Sequence, residues 1–133
     1  MKREEISRLL QMPHAAAHHS FAHHDLSRMR LCGVDLDGAI LRRADLSRSD
    51  LSHAHLRGAH MEHANLSGAN LSDADLRDAH LRGANLSHAY LKGVNLEGAD
   101  LRDTDLTGVD LTAIDLSPQQ RKVVEAFASK MEA

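Results

Sequence analysis

Large side chains are scarce in this sequence of 133 residues, which holds no Trp, one Tyr and two Phe. Any core must therefore be built from small aliphatic residues. The one cysteine, Cys32, cannot form a disulfide within the chain. The first residues also lack the apolar run that a signal peptide or a membrane span needs. We therefore expect a soluble, cytoplasmic protein that does not engage a membrane.

An excess of charge of one sign is lacking as well. Sixteen Lys and Arg oppose nineteen Asp and Glu, which gives a formal net charge of −3. Holding a nucleic-acid backbone requires a concentration of positive charge. The balance therefore argues against direct nucleic-acid binding.

What the sequence does contain is a five-residue repeat. From Leu26 to Leu116 every fifth residue is Leu, except Met61, and no insertion interrupts the run. A straight helix or strand would point successive members of this column in different directions, because five matches neither the helical period nor the two-residue period of a strand. The backbone must instead turn once per repeat, so that the repeats form the sides of stacked coils. The sequence therefore predicts an all-β solenoid.

Small residues occupy fixed positions in the repeat. From Leu36 on, a small or β-branched residue, most often Ala, lies two residues before each residue of the Leu column, and all eight Gly lie two residues after a period-five position. The Gly position fits the third residue of a type II turn, whose φ is positive. Because Arg43, Arg48 and Ala113 tolerate a positive φ less well, we expect a different turn type at these three positions.

The runs Ala64 to Gly68, Ala69 to Asp73 and Ala84 to His88 resemble the A(D/N)LXX motif of the pentapeptide repeat family. This resemblance implies a right-handed quadrilateral β-helix of nearly five coils, with the Leu and Ala columns inside. The repeat run and the helix signals at both ends together divide the chain into an N-terminal segment, 1–24, a β-helix, 25–117, and a C-terminal helix, 118–133.

Both terminal segments carry helix signals. Ser117, Pro118 and Gln120 combine an N-cap, a proline at the first helical position and a capping-box glutamine. The helix that they predict either caps the last coil or also forms a homodimer interface, since C-terminal dimerisation is familiar in the family that the sequence resembles. Its apolar face holds Val123, Val124, Phe127 and Met131.

At the other end, Ile6, Leu9 and Leu10 predict a short amphipathic helix, and an Ala- and His-rich stretch follows, with order expected only near Leu31. The helical spacing of His14 and His18 suggests a metal site, but no Cys or carboxylate completes one. We therefore expect no physiological metal and no cofactor.

Catalytic chemistry has no evident basis in the sequence. A Ser/Thr column recurs every twenty residues without a base beside it, and is better interpreted as a ladder of hydroxyl hydrogen bonds. A filled aliphatic core is also expected to leave no cleft for a substrate. We therefore expect a protein that is not an enzyme. The column consists of Ser27, Ser47, Ser67, Ser87 and Thr107.

Two groups of polar residues are candidates for a partner surface. His60 and His80 are twenty residues apart and are expected to stack on the most basic wall, where Glu62, Asp100 and Asp103 are interspersed among the arginines. Carboxylates also concentrate toward the C-terminus. These charges either form a specific electrostatic docking surface or serve solubility alone. The candidate residues are Arg42, His60, His80, Arg82, Arg102, Asp100, Asp103, Asp105, Asp110 and Asp115.

Two functional hypotheses follow. Because nucleic-acid binding, metal binding and catalysis have no evident basis in the sequence, we favour a non-catalytic, rigid module that binds an unidentified protein partner. The resemblance implies an alternative, a DNA mimic that binds a type II topoisomerase such as gyrase and modulates quinolone sensitivity. The acidic C-terminal repeats fit this alternative, whereas the modest net charge and the interspersed arginines oppose it.

Overall fold

The computed structural model describes residues 1–12 and 19–132. Fourteen parallel β-bridges join residues twenty positions apart, from Ser20 and Ile40 at one end to Asn85 and Asp105 at the other. Twenty residues are four repeats, so each coil has four sides. The bridges are isolated pairs rather than longer strands, because each side is interrupted by a turn after one repeat. The predicted solenoid of stacked repeats is confirmed.

We number the four walls by the residue that each points inward in one coil: Leu41 for wall 1, Leu46 for wall 2, Leu51 for wall 3 and Leu56 for wall 4. Residues twenty positions apart share a wall. These four side chains are completely buried, and the Ala column beside them is buried too. Each buried Leu contributes roughly 1.5–3 kcal/mol relative to an exposed one. Stability therefore accumulates coil by coil.

One turn geometry is used at nearly every corner. The turn that begins at Leu36 is closed by the Ala39 N–H, which donates to the Leu36 carbonyl at 3.0 Å, and Gly38 between them has a φ of 67°. Arg43 and Arg48 have the same geometry, each with a φ of 56°. The expectation of a different turn at these two positions is therefore wrong.

The stack imposes this geometry on residues that would avoid it alone. The Arg43 N–H donates to the Glu62 carbonyl at 3.0 Å, and the Arg48 N–H donates to the Ser67 carbonyl at 2.9 Å, both in the next coil. These hydrogen bonds outweigh a local strain of about 1–3 kcal/mol per residue. Ala113 does depart from the pattern, since it lies in the 3-10 helix Leu111–Ala113.

In many repeats an Asp or Asn precedes the Leu, and its side chain caps the turn of that repeat. Asp45 Oδ1 accepts hydrogen bonds from the Ser47 N–H at 3.0 Å and from the Ser47 hydroxyl at 2.6 Å. Asp105 and Thr107 repeat this arrangement at 2.9 and 2.6 Å. These hydroxyls bond within their own repeat instead of along the wall, so the predicted ladder of hydroxyls is wrong.

The N-terminal end is closed by α1, Arg3–Leu10, which buries Ile6 and Leu10 against the first coil. The guanidinium of Arg3 donates to the carbonyls of Asp25 and Ser27 at 3.2 and 2.7 Å. Backbone N–H groups make the equivalent bonds in the next coil, so this side chain replaces a missing coil on wall 2.

The coils also begin earlier than the sequence suggested. Ser20 already forms a bridge and Phe21 is completely buried. The β-helix therefore starts one repeat before the expected boundary at residue 25. The expectation that order begins only near Leu31 is wrong. The histidines His14 and His18 lie outside the described residues.

The C-terminal end is closed by α2, Pro118–Glu132. The predicted capping box is confirmed: the Gln120 N–H donates to Ser117 Oγ at 3.1 Å, and the Ser117 N–H donates to Gln120 Oε1 at 3.0 Å. Of the apolar face, Val124 is buried, Val123 and Phe127 are half-buried, and Met131 is 60% exposed. No helix in the described part of the chain is long and apolar enough to cross a membrane.

Candidate interaction surface

Wall 1 carries the arginines that the sequence singled out, and each of them lies beside a carboxylate. Arg42 Nε is 3.0 Å from Glu62 Oε2. Arg102 binds Asp100 through two hydrogen bonds, at 2.7 and 2.9 Å. The third, Arg82, approaches Asp103 at 4.0 Å. The wall is therefore a mosaic of paired charges rather than an uncompensated basic face.

Two carboxylates of this mosaic, Asp100 and Glu62, have pKa values below those of ordinary carboxyl groups. The hydrogen bond from Arg102 is the largest of the effects that lower the pKa of Asp100, and it outweighs the opposing effect of burial. Burial is the largest single effect on Glu62, but hydrogen bonds and the charges of Arg42 and His60 together keep the pKa of its carboxyl below the ordinary 4.5.

The imidazoles of His60 and His80 stack at the centre of wall 1. Their ring centroids are 4.6 Å apart and their planes differ by 4°, which confirms the stacking expected from their spacing. Glu62 Oε1 lies 4.0 Å from His60 Nδ1 and is buried without a hydrogen-bond partner among the described residues. Wall 1 therefore presents two aligned rings beside a buried anionic oxygen.

The carboxylates toward the C-terminus are not gathered on one wall. Asp100 lies on wall 1 and Asp105 on wall 2, while Asp110 precedes the 3-10 helix and accepts hydrogen bonds from the Thr112 N–H and hydroxyl at 3.0 and 2.6 Å. Asp115 is exposed further along the chain. These acids therefore surround the C-terminal end instead of forming a single patch.

Clefts are present at both ends, contrary to the expectation that a filled core leaves none. One cleft of about 620 Å³ lies between α1 and the first coil and is lined in part by Arg30 and Cys32. Another, of about 710 Å³, is lined in part by Tyr90, Lys92 and Asp110. Both arise where a helix replaces a coil and covers the end incompletely.

Sequence reasoning overlooked Tyr90. It is the one tyrosine of the chain, it is 66% exposed, and it stands at a position that its wall otherwise fills with charged or amide residues. That substitution was the available signal. Cys32 is exposed, and its Sγ accepts a hydrogen bond from Ser52 Oγ at 3.3 Å. Within the described ranges, no three His, Cys, Asp or Glu side chains are placed to hold a metal ion.

Comparison with known proteins agrees with the repeat and the coil geometry. The profile for pentapeptide repeats matches residues 20–48, 44–83 and 79–117, with eight copies. The chain belongs to the pentapeptide repeat family. A search of the curated proteins returns no match.

Solved structures similar to this pentapeptide repeat protein belong to the same family. A pentapeptide repeat protein from Nostoc PCC 7120 is 39% identical, with coverage of 80% of this chain and 89% of that one and a TM-score of 0.47. One from the Arabidopsis thaliana thylakoid lumen is 27% identical, with coverage of 81% and 74% and a TM-score of 0.49.

A trypsin-treated variant of QnrB1, a plasmid-mediated fluoroquinolone resistance protein, is 20% identical with a TM-score of 0.59. The match covers 80% of this chain and 63% of QnrB1. At that identity the similarity shows a shared fold.

Proposed function

We propose that this pentapeptide repeat protein is a non-catalytic interaction module, a rigid right-handed β-helix that binds a protein partner through its outward-facing side chains. The ordered row on wall 1 carries the proposal. Its stacked imidazoles, His60 and His80, and its ion pairs are fixed in register by main-chain hydrogen bonds to the coils on either side. A surface ordered in advance binds without a large entropic cost. The exposed thiol of Cys32 suits the reducing cytoplasm.

The test is affinity capture with matched variants. One variant replaces His60, His80 and Arg82 on wall 1 by Ala, and the control replaces Ser47 and Ser67 on wall 2 by Ala. We expect a partner that wild type and the wall 2 control retain and that the wall 1 variant loses. Recovery of no protein above a bait-free background, or equal recovery by all three baits, would contradict the proposal.

A second candidate is a DNA mimic that binds a type II topoisomerase such as gyrase and alters quinolone sensitivity. The carboxylates that surround the C-terminal end support it, as do the partly exposed Phe127 and Met131 on α2, which suit a homodimer interface. Similarity to QnrB1 adds the fold and no more. This candidate function is tested by measuring the solution mass by light scattering and the effect on gyrase supercoiling. A monomer that has no effect on gyrase at micromolar concentration would exclude it.

A further inference from the structure

On wall 3 the main-chain hydrogen bonds between coils end at residues 90–93. In the preceding coil, the Leu71 N–H donates to the Tyr90 carbonyl at 2.8 Å and the Asp73 N–H donates to the Lys92 carbonyl at 2.9 Å. The equivalent donors one coil later are the N–H groups of Leu91 and Gly93, and neither has a hydrogen-bond partner among the described residues.

An acceptor is open on the same edge. The Ala69 carbonyl accepts the Tyr90 N–H at 2.9 Å, whereas the equivalent Ala89 carbonyl receives no N–H from the described residues. The last bridge is that between Asn85 and Asp105, so no bridge forms between Tyr90 and the residue that would pair with it. The edge therefore offers two donors and one acceptor.

The chain itself explains the gap. Asp110 stands at the position of the pairing residue, but the residues after it form the 3-10 helix Leu111–Ala113 instead of a further side of the coil. The bonds from Thr112 to the Asp110 carboxylate are the same as those from Thr107 to Asp105, so the helix and not the side-chain cap removes the pairing. A 3-10 turn cannot present carbonyls in the extended register of the stack. The cleft of about 710 Å³ occupies this place, with the exposed ring of Tyr90 in its wall.

An extended peptide supplies the groups that are missing. In a parallel pairing opposite Tyr90, one peptide residue would donate its N–H to the Ala89 carbonyl and accept from the Leu91 N–H, and the residue two positions on would accept from the Gly93 N–H. Recognition by addition of a strand to an open sheet edge works in this way.

Charge defines the occupant further. Residues 84–118 contain six carboxylates and two cations; Arg102 is bound to Asp100, and Lys92 lines the cleft together with Asp110. A cationic segment is therefore attracted to this end, and an acidic one is repelled. We propose that the wall 3 edge binds an extended, positively charged peptide segment of a protein partner as an added parallel strand beside Tyr90. This inference rests on the proposed function as a protein-binding module and assigns it a second surface.

The first test is residue-resolved amide exchange by NMR, with an end-blocked heptapeptide of alternating Val and Arg as the probe. In the free protein, the N–H groups of Leu91 and Gly93 should exchange much faster than those of Leu71 and Asp73 on the same wall. Saturating peptide should slow the first pair at least tenfold and leave the second pair unchanged. An edge already protected in the free protein, together with a doubled solution mass, would show a second copy there and overturn the proposal.

Matched peptides and variants sharpen the test. Replacing Arg by Glu in the probe, or N-methylating its central residue, should weaken binding at least tenfold. Tyr90→Ala should weaken binding at least fivefold, whereas Tyr90→Phe retains it because the ring is kept. A probe that leaves Leu91 and Gly93 unaffected refutes the strand-addition site. This outcome is separate from that of the wall 1 capture experiment, so the two proposals can fail independently.

Discussion

Gln120 provides a sharp test of how the C-terminal end is held. Its side-chain amide donates to the carbonyls of Leu96 and Ala99 at 2.8 and 3.1 Å, and its Oε1 accepts from the Ser117 N–H at 3.0 Å. One coil earlier, the Ala79 carbonyl accepts from a backbone N–H instead. The Gln120 side chain thus takes the place of a further coil, as Arg3 does at the other end.

The cost of removing this side chain follows from those bonds. Gln120→Ala deletes three hydrogen bonds, each with a net contribution of about 0.5–1.5 kcal/mol. The Leu96 carbonyl keeps the bond from the Ala99 N–H at 3.0 Å, so only two groups lose a partner completely. We therefore expect the free energy of unfolding to fall by about 2 kcal/mol.

The assay is urea denaturation followed by circular dichroism, with Gln119→Ala as the control. Gln119 is exposed and neighbours Gln120 in the same helical turn, so its replacement should change the free energy of unfolding by less than about 0.5 kcal/mol. Equal stabilities of the two variants, with equal dependence on urea, would refute the assignment of Gln120 as the terminal cap.

Three other predictions concern the coils. Leu66→Ala, at a completely buried central position, should cost about 2–5 kcal/mol in the same denaturation assay, and a cost below about 1 kcal/mol would contradict a closely packed core. Gly98→Ala should destabilise the protein more than Gly58→Ala on the same wall, because a Cβ at Gly98 meets a carboxylate oxygen of the preceding coil while one at Gly58 meets nothing within 4 Å. Equal unfolding midpoints of the two variants would exclude that contact. Finally, hydrogen bonds from arginines lower the folded-state pKa values of Asp75 and Asp100 from 3.8. The stability that these two carboxylates provide is therefore complete above pH 3.8 and is lost as the pH falls through their folded-state pKa values. An unfolding free energy that does not fall between about pH 4 and about pH 2, where carboxyl groups titrate, would contradict this prediction.

The sequence predicts the coil well because each repeat carries the same pattern of Leu, small residue and turn position. The stacked pair His60 and His80 and the capping box at Gln120 follow from spacing and local chemistry alone. The turn at Arg43 does not, since its positive φ is imposed by the bonds of neighbouring coils and opposes the residue's own preference. The open edge at Leu91 is signalled only in part: Ala113 is expected to depart from the common turn, and it lies in the 3-10 helix Leu111–Ala113. Its sequence position does not show that this departure leaves main-chain groups of the preceding coil without partners.

Charge pairing illustrates the same limit. Arg42 and Glu62 are twenty residues apart and therefore share a wall in a four-sided coil, but this spacing alone does not show which side chains reach each other. The sequence placed the arginines and the interspersed acids on one wall but did not show that they pair. With the register known, the same residues form a surface whose charges are largely compensated.

The two side-chain caps fix the rotational position of each terminal helix around the axis of the β-helix as well as its position along that axis. Arg3 engages wall 2 and Gln120 engages the turn that runs from wall 4 to wall 1, so each terminal helix is keyed to a particular side of the coil. Inserting or deleting twenty residues in the interior would change the length by about 4.8 Å and keep both caps in phase. Inserting five would rotate one cap by a quarter turn relative to the other, and the partner surfaces would rotate with it. Evolution of such a chain is therefore expected to proceed in whole coils.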